Sequence, residues 1–478
     1  MSWKTILIDL INGYNYFIIF YFLVLNIIYL IILLFSMREI YFYLKRSQYE
    51  GYFSLLSSSF LPGVSILVPC YNEENTIVDN VESLLNLEYN EMEVIVINDG
   101  STDQSLAELK AAFELHKIDR VYKKEIETAE INDIYLSAKM PDLVVIDKEN
   151  GGKADALNTG VNLSDYNLVT AIDADSILET DSLLKIVMPF VEDSKRVAAT
   201  GGLVRIANNS KIDSGFMEEP KLPEANLARF QVIEYLRAFF TSRMGWSKIN
   251  SLLIVSGAFG VFKKDILTEV GGYTADTVGE DMELIVKIHR YLRGEEVDYK
   301  ISLVPDATCW TQGPSDIKSF ISQRKRWQRG LMDSIINHGK LLFNLNYGLV
   351  GLFAFPYYVI FEMLGPLLEI LGYFSMGLAY FFDLLRPGFV GVFFLLAVLY
   401  GVFVSTSAVL IEVYTEQKYS SILDYLKLFL YSILENFGYR QFNTIVRAIS
   451  LIGYNHGENE WGTISKDKFN NQDIDAKS

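Results

Sequence analysis

The sequence predicts an α/β domain with a parallel-type β-sheet and helices on both of its faces, together with transmembrane α-helices. Two observations predict this class. Short apolar runs alternate with helical stretches over the middle of the 478-residue chain. Toward both ends, the chain instead carries apolar stretches long enough to cross a bilayer. Strand–helix alternation with continuously apolar strands is typical of parallel sheets that are buried on both faces.

The first predicted element is a membrane-spanning helix at about residues 16–36, where no charged residue occurs. Arg38, Lys45 and Arg46 follow it. Because positive charge marks the cytoplasmic flank of a span, we expect the chain from residue 37 onward to lie in the cytoplasm. Residues 1–61 are therefore interpreted as this helix and a cytoplasmic linker.

Residues 62–340 are predicted to form a cytoplasmic domain in which strands and helices alternate. The apolar runs interpreted as strands lie at residues 64–68, 94–97, 143–147, 168–175 and 197–204, with helices at 75–86 and 104–115 between the first of them. In such sheets, ligands bind beyond the carboxyl ends of the strands. The polar residues that follow each run are therefore expected to converge on one crevice.

Each polar group has a chemical use and a structural alternative. Tyr71 and Glu73 follow the first run, and Asp99 follows the second, where its carboxylate suits either a nucleobase N–H or a turn. Lys153 suits a phosphate or a base, or it is a solvated lysine at a helix start, where it would oppose the helix dipole. Asn158 lies one helical turn further on.

Asp173 and Asp175 follow the fourth run. In an extended chain their side chains point to the same side, so they suit a hard divalent cation such as Mg²⁺. Glu280 and Asp281 precede a predicted helix at 282–293, where they suit either capping or general-base catalysis.

A basic segment with an aromatic end closes this domain. Gln323, Arg326 and Trp327 lie in the sequence QRKRW, which suits a diphosphate clamp with a stacking face. The alternative is an amphipathic segment at the membrane surface.

The rest of the chain returns to the membrane. Residues 341–454 are predicted to hold interfacial and transmembrane helices. They comprise a broken apolar stretch at 347–382, a span at 389–411, an apolar segment with charged residues at 421–438, and a segment at 440–454 that is too short to span without tilting or distortion. Glu362, Glu369 and Glu412 lie within or beside these stretches, which favours a polar path or helix-end positions. Residues 455–478 are predicted to be a polar tail.

The composition excludes several classes of protein. The formal net charge is −17, which argues against nucleic-acid binding, because that depends on basic patches. The chain has two cysteines and four histidines, and their spacing fits neither a zinc site nor a disulfide framework.

Six motifs in this order resemble those of the processive, membrane-bound glycosyltransferases of family 2, such as cellulose, hyaluronan, chitin and poly-N-acetylglucosamine synthases. They are PCYNEE (69–74), NDGS (98–101), GGKADALN (151–158), DAD (173–175), GED (279–281) and QRKRW (323–327). The resemblance covers about residues 62–335 and the flanking helices. Asn98 and Gly279 depart from the commonest forms of two motifs. The segments 277–290 and 305–310 look closer to the poly-N-acetylglucosamine branch than to cellulose synthases.

The resemblance implies a GT-A nucleotide-sugar-binding domain on the cytoplasmic face of the plasma membrane, with helices that form a channel for the growing glycan. It implies that Tyr71, Glu73, Asp99 and Lys153 bind the nucleotide. It further implies that Asp173 and Asp175 hold Mg²⁺ or Mn²⁺, that Asp281 beside Glu280 is the catalytic base, and that Gln323, Arg326 and Trp327 bind diphosphate and acceptor.

The resulting prediction is an inverting hexosyltransferase that polymerises UDP-glucose or UDP-N-acetylglucosamine into a β-linked polysaccharide and exports it. Its partners would be the UDP-sugar, the growing glycan, the lipid bilayer and accessory export subunits. One alternative is a non-processive transferase that glycosylates a membrane lipid. Another is a silent scaffold subunit, which should lack ionisable site residues.

Overall fold

The computed structural model describes residues 3–47, 61–213, 216–415, 418–419 and 421–454. The predicted polar tail and most of the predicted linker after the first helix lie outside these residues. The strands are β1 (Val64–Cys70), β2 (Met92–Asp99), β3 (Leu115–Ile118), β4 (Ile131–Ser137), β5 (Leu143–Lys148), β6 (Leu168–Ala171), β7 (Ile177–Leu178), β8 (Val197–Ile206), β9 (Lys211–Asp213), β10 (Phe216–Glu219), β11 (Gly260–Lys263) and β12 (Lys300–Thr311).

The α-helices are α1 (Trp3–Ser47), α2 (Ile77–Leu85), α3 (Ser105–Phe113), α4 (Lys153–Leu163), α5 (Ser182–Glu192), α6 (Asn226–Glu234), α7 (Arg243–Lys248), α8 (Lys264–Glu269), α9 (Glu280–Gly294), α10 (Ile317–Asn337), α11 (Phe355–Tyr357), α12 (Gly365–Phe381), α13 (Pro387–Phe394), α14 (Tyr400–Thr415), α15 (Ile422–Leu434) and α16 (Tyr439–Ile452). Four π-helical segments connect some of them, at Tyr235–Ser242, Val350–Ala354, Tyr358–Met363 and Leu395–Leu399.

The described residues form two compact units. The sheet unit comprises the described parts of residues 45–224 and 252–313, and the membrane unit comprises those of residues 1–44, 225–251 and 314–458. This division differs from the predicted domain at 62–340, because residues 225–251 and 314–340 belong to the membrane unit. The reason is tertiary packing, since α6 contacts α15 and the π-helical segment after α6 contacts α14.

The sheet unit is built on a ten-stranded sheet with the order β3-β4-β5-β2-β1-β6-β11-β8-β12-β7. Four neighbouring strands, β5, β2, β1 and β6, are parallel, as their apolar runs predict. Every residue of β2 is buried. The sheet is nevertheless mixed, because β11 is antiparallel to both β6 and β8, and antiparallel pairs join β3 to β4, β4 to β5 and β7 to β12.

The membrane unit contains the apolar helices. Among the described residues, two helical stretches are long and apolar enough to cross a membrane, namely Thr5–Lys45 and Pro387–Thr415. A third span results if the pair Val350–Met363 and Gly365–Phe381, bent by 45°, is counted as one. The bend occurs next to Pro366, whose ring disrupts the helical hydrogen-bond ladder. This geometry agrees with the predicted broken helix.

Candidate functional site

The loops after β1 and β2 are joined by hydrogen bonds. Asn72 has a left-handed backbone with φ of 56°, and its side-chain Oδ1 accepts a hydrogen bond from Thr102 N at 2.8 Å. Glu74 N donates to Asp103 Oδ2 at 3.1 Å. The two motifs therefore form one rim at the carboxyl edge of the sheet. The predicted nucleotide ligand Tyr71 is half exposed on this rim, and Glu73 is partly buried and accepts from Thr76 Oγ1 at 3.0 Å.

Asp99 lies beneath the glycine loop that precedes α4. Its Oδ1 accepts from Gly151 N at 2.9 Å, and its Oδ2 accepts from Gly152 N at 2.8 Å. Lys148 Nζ donates to Oδ1 at 2.6 Å. A carboxylate offers about four acceptor positions, so these three donors leave about one of them, on Oδ2. Asp99 therefore fixes the loop that carries Lys153.

Sequence reasoning missed Lys148, whose side chain is fully buried. Its ammonium is also 2.7 Å from Asp155 Oδ1, so one buried cation joins two acidic residues of different motifs. The sequence feature that could have identified Lys148 is its position, because it is a charged residue at the end of the apolar run that forms β5. The register pairs Lys148 with Asp99 across β5 and β2.

Lys153 is the first residue of α4, as predicted, and it meets two of the predicted acidic site residues. Its Nζ lies 2.6 Å from Asp173 Oδ1 and 3.2 Å from Glu280 Oε1. Burial disfavours the charged lysine, but the attraction of these two carboxylates outweighs burial and raises the pKa of Lys153 above its usual value. The pKa of Glu280 is raised chiefly by burial, which the nearby Lys153 opposes.

Asp173 and Asp175 do not occupy an extended strand, so the predicted side-chain alternation is wrong. Strand β6 ends at Ala171, and Ser176 N donates to Asp173 O at 2.9 Å, which places both aspartates in a turn. The turn directs Asp173 to Lys153, while Asp175 is partly buried. Carboxylate oxygens are ligands for hard divalent cations. Within the described residues, no group of three or more His, Cys, Asp or Glu is arranged to hold a metal. A divalent cation at this site would therefore need further oxygen ligands besides the protein carboxylates. The diphosphate of a nucleotide-sugar would supply them.

Asp281 is the second residue of α9, at the end of the helix where the macrodipole favours negative charge. Its Oδ2 accepts a hydrogen bond from Gly257 N at 3.3 Å, so the glycine-rich segment 256–262 orients it. A Cβ at Gly257 would lie 3.4 Å from Asp281 Cβ and 3.6 Å from Lys153 Nζ. Lys153, Asp173, Glu280 and Asp281 therefore form one group, called here the lysine–carboxylate cluster.

Asn158, one helical turn after Lys153 on α4, has a structural role. Its side-chain oxygen accepts from Tyr273 N at 2.7 Å, and its amide donates to Tyr273 O at 2.8 Å. Both polar ends are thereby used to hold the segment that leads to α9.

The QRKRW segment lies on α10, in the membrane unit. Gln323 is buried, and its Oε1 has no hydrogen-bond partner among the described residues. Arg326 and Trp327 are partly buried. Arg324 belongs to the same motif but was not selected as one of its ligands, and it is buried. It pairs with Glu234 Oε1 at 2.7 Å, and its guanidinium stacks 4.3 Å from the ring centre of Trp327. Arg324 therefore positions the predicted acceptor-binding tryptophan.

A cavity in the membrane unit encloses about 900 Å³ of space, including its open mouth. Glu362 and Glu369 line it together with Arg237 and Arg440. Four tyrosines also line it, namely Tyr29, Tyr357, Tyr373 and Tyr400. Two of the three membrane glutamates thus line this cavity, whereas Glu412 is fully buried.

Residues 62–330 match the family described as glycosyltransferase like family 2. The poly-β-1,6-N-acetyl-D-glucosamine synthase of Staphylococcus epidermidis is 33% identical over 294 residues, which is 61% of this chain and 60% of that protein. The Staphylococcus aureus synthase is 32% identical over 298 residues, with the same shares. The match thus spans about 60% of the length of these relatives.

A solved structure, the mannosyltransferase PcManGT from Pyrobaculum calidifontis in complex with GDP-mannose and Mn²⁺, has a similar fold. Its TM-score is 0.51 at 16% identity, covering 88% of this chain and 99% of that one. The predicted GT-A fold with transmembrane helices is confirmed. The family match covers more than half of the chain, which therefore belongs to the glycosyltransferase-like family 2.

Proposed function

We propose that the chain is a membrane-bound, inverting glycosyltransferase that polymerises UDP-N-acetylglucosamine into a β-linked polysaccharide and exports it. The lysine–carboxylate cluster carries the proposal, because it joins a candidate base, a candidate metal ligand and a cation at the carboxyl edge of a nucleotide-binding sheet. The choice of sugar rests on the two staphylococcal synthases.

The nucleotide would bind at the rim formed by the loops after β1 and β2. Tyr71 is exposed and can cover a base or ribose, with Glu73 beside it. Asp99 offers its remaining acceptor position to an N–H of uracil, and Lys153 approaches the diphosphate from the start of α4. Asp173 and Asp175 would hold Mg²⁺ or Mn²⁺. Such a cation would neutralise the charge that develops on the leaving UDP.

Transfer would proceed as a single displacement. Asp281 accepts the proton of the acceptor hydroxyl as that oxygen forms a bond to the anomeric carbon, and the bond from this carbon to UDP breaks. Attack opposite the UDP inverts the centre, so an α-linked donor gives a β-linkage. Gly257 N restricts the rotation of Asp281, and the same glycine lies beside the ammonium of Lys153.

The membrane unit would bind the acceptor and provide the exit path. Gln323, Arg326 and Trp327 would hold the diphosphate and the acceptor sugar, since Trp stacks on sugar rings and Arg neutralises phosphate. The cavity lined by Glu362 and Glu369 also has four tyrosines and two arginines in its wall, and these side chains suit a hydroxyl-rich chain. The flanking positive charges favour a plasma-membrane protein whose sheet unit is cytoplasmic.

The test uses purified full-length protein in lipid nanodiscs with Mg²⁺ or Mn²⁺. UDP release is followed for a panel of UDP-sugars, and the product is sized. A long product from UDP-N-acetylglucosamine is expected. A lipid-extractable product of one or two sugars would instead establish the non-processive lipid transferase, and no turnover of any UDP-sugar would refute the proposal.

Variants test the base. Asp281→Asn should abolish transfer while UDP binding remains, because the amide cannot accept the proton. Asp265→Asn is the matched control, since Asp265 also lies in the first turn of a helix but is exposed. Full activity of Asp281→Asn would remove the general-base assignment.

A second pair of variants tests the exit path. Glu369→Gln and Glu362→Gln should shorten the product or lower its yield, because each removes a charge from the cavity wall. Normal product length and yield in both variants would contradict a glycan path through this cavity.

A further inference from the structure

Lys153 occupies the position of a cation between acidic residues. Its Nζ contacts Asp173 and Glu280, and Gly257 brings Asp281 close to the same ammonium. Within the cluster, three carboxylates and one ammonium leave a formal charge of −2. A divalent cation would balance this charge.

The shortest of these contacts involves a candidate metal ligand. Asp173 Oδ1 is 2.6 Å from the ammonium, which is hydrogen-bonding distance for a charged pair. A metal held by Asp173 would place two cations beside the same carboxylate. Like charges this close repel each other, so metal binding and this Lys153 contact oppose one another.

The lysine can change partners. The alkyl chain of lysine is flexible and its ammonium is a compact charge, so the ammonium can pair with carboxylates in different directions. The planar guanidinium of an arginine would restrict the geometry of its partners. Glu280 already offers a second partner at 3.2 Å. The side chain of Lys153 is 18% exposed and that of Asp173 is 34% exposed, so the pair opens toward solvent, from which a donor would enter.

We propose that Lys153 is a placeholder cation. In the protein without donor, its ammonium neutralises Asp173. When the divalent metal binds Asp173, the ammonium leaves this carboxylate and pairs with the diphosphate of the donor. This inference rests on the proposed function, because it presupposes a metal at Asp173 and Asp175. It adds that the protein binds its metal weakly until the diphosphate gives Lys153 another partner. Metal and donor would then bind cooperatively, as linkage requires.

The test measures binding, not turnover. Full-length protein in nanodiscs is titrated with Mn²⁺ alone, and free Mn²⁺ is followed by electron paramagnetic resonance. Lys153→Met should bind Mn²⁺ about tenfold or more tightly than wild type, because a repelling charge is gone. In the presence of Mn²⁺, the same variant should bind UDP more weakly. A purely structural lysine would not change the two affinities in opposite directions.

The control is Lys185→Met, which removes the same charge from an ion pair with Asp181 on α5. Its Mn²⁺ affinity should stay within about twofold of wild type. Lys153→Gln replaces Lys153→Met if the latter does not fold. Unchanged or weaker Mn²⁺ binding in the Lys153 variant overturns the placeholder role.

Asp175→Asn separates this inference from the proposed function. If it loses Mn²⁺ binding while Lys153→Met gains none, the metal site stands and only the placeholder role fails. If wild type and Asp175→Asn bind Mn²⁺ equally in the presence of UDP, the metal assignment fails and the placeholder role fails with it.

Discussion

The buried ammonium of Lys148 should stabilise both the fold and the donor loop, and the Lys148→Met variant tests this. Lys148 is fully buried and lies 2.6 Å from Asp99 and 2.7 Å from Asp155. Methionine fills a similar volume without charge. The substitution therefore leaves two carboxylates in the interior without their shared cation.

The expected loss of stability follows from the contacts that remain. Removing one partner of a buried ion pair costs about 3–5 kcal/mol. Asp99 keeps its two backbone donors, and Asp155 keeps Ala129 N at 3.0 Å. We therefore expect the lower end, about 3 kcal/mol, which corresponds to a fall in Tm of about 6–12 °C for a unit of this size.

The assay is thermal unfolding of the full-length protein in nanodiscs. Lys139→Met is the matched control, because Lys139 pairs at 3.3 Å with Glu114 at the surface, where both side chains are about half exposed. Such pairs contribute about 0–1 kcal/mol. The double variant Lys148→Met/Asp155→Asn should recover part of the loss, since it removes one uncompensated charge. A Tm shift for Lys148→Met no larger than that of Lys139→Met would refute the reasoning.

Three further predictions concern stability, each measured by the same unfolding assay. Burial lowers the pKa of His289 to about 4. As the pH falls below about 6.5, the unfolded chain takes up this proton first, so stability should fall by up to about 3 kcal/mol between pH 6.5 and 4, and His289→Asn should remove this slope. Arg324→Met leaves Glu234 without its guanidinium partner and should lower the free energy of unfolding by about 3 kcal/mol. Adding Glu234→Gln should restore much of this loss. Equal stability of the single and double variants would contradict the role of the ion pair. Gly202→Ala would place a Cβ 2.1 Å from the Phe259 ring and should lower the free energy of unfolding by about 1–3 kcal/mol. An unchanged Tm would show that the core around Phe259 repacks without a loss of stability.

Local pattern in the sequence determined the elements and their broad order. Continuous apolar runs predicted the parallel core of β5, β2, β1 and β6, because strands buried on both faces need apolar side chains at every position. Length and the absence of charge predicted the first span, and a long but interrupted apolar stretch predicted the broken helix. The rule that ligands bind beyond the carboxyl ends of strands placed the motif residues at one edge, and there Lys153, Asp173, Glu280 and Asp281 do meet.

Only the tertiary structure decided which partner each polar group takes. The antiparallel insertion of β11 depends on contacts between distant segments, and so does the assignment of residues 225–251 to the membrane unit. Such contacts leave no periodic signal in the sequence. The same holds for Lys148. A lysine in a sequence is usually a solvated charge, and it becomes a buried anchor only when strand register brings Asp99 beside it and water is excluded.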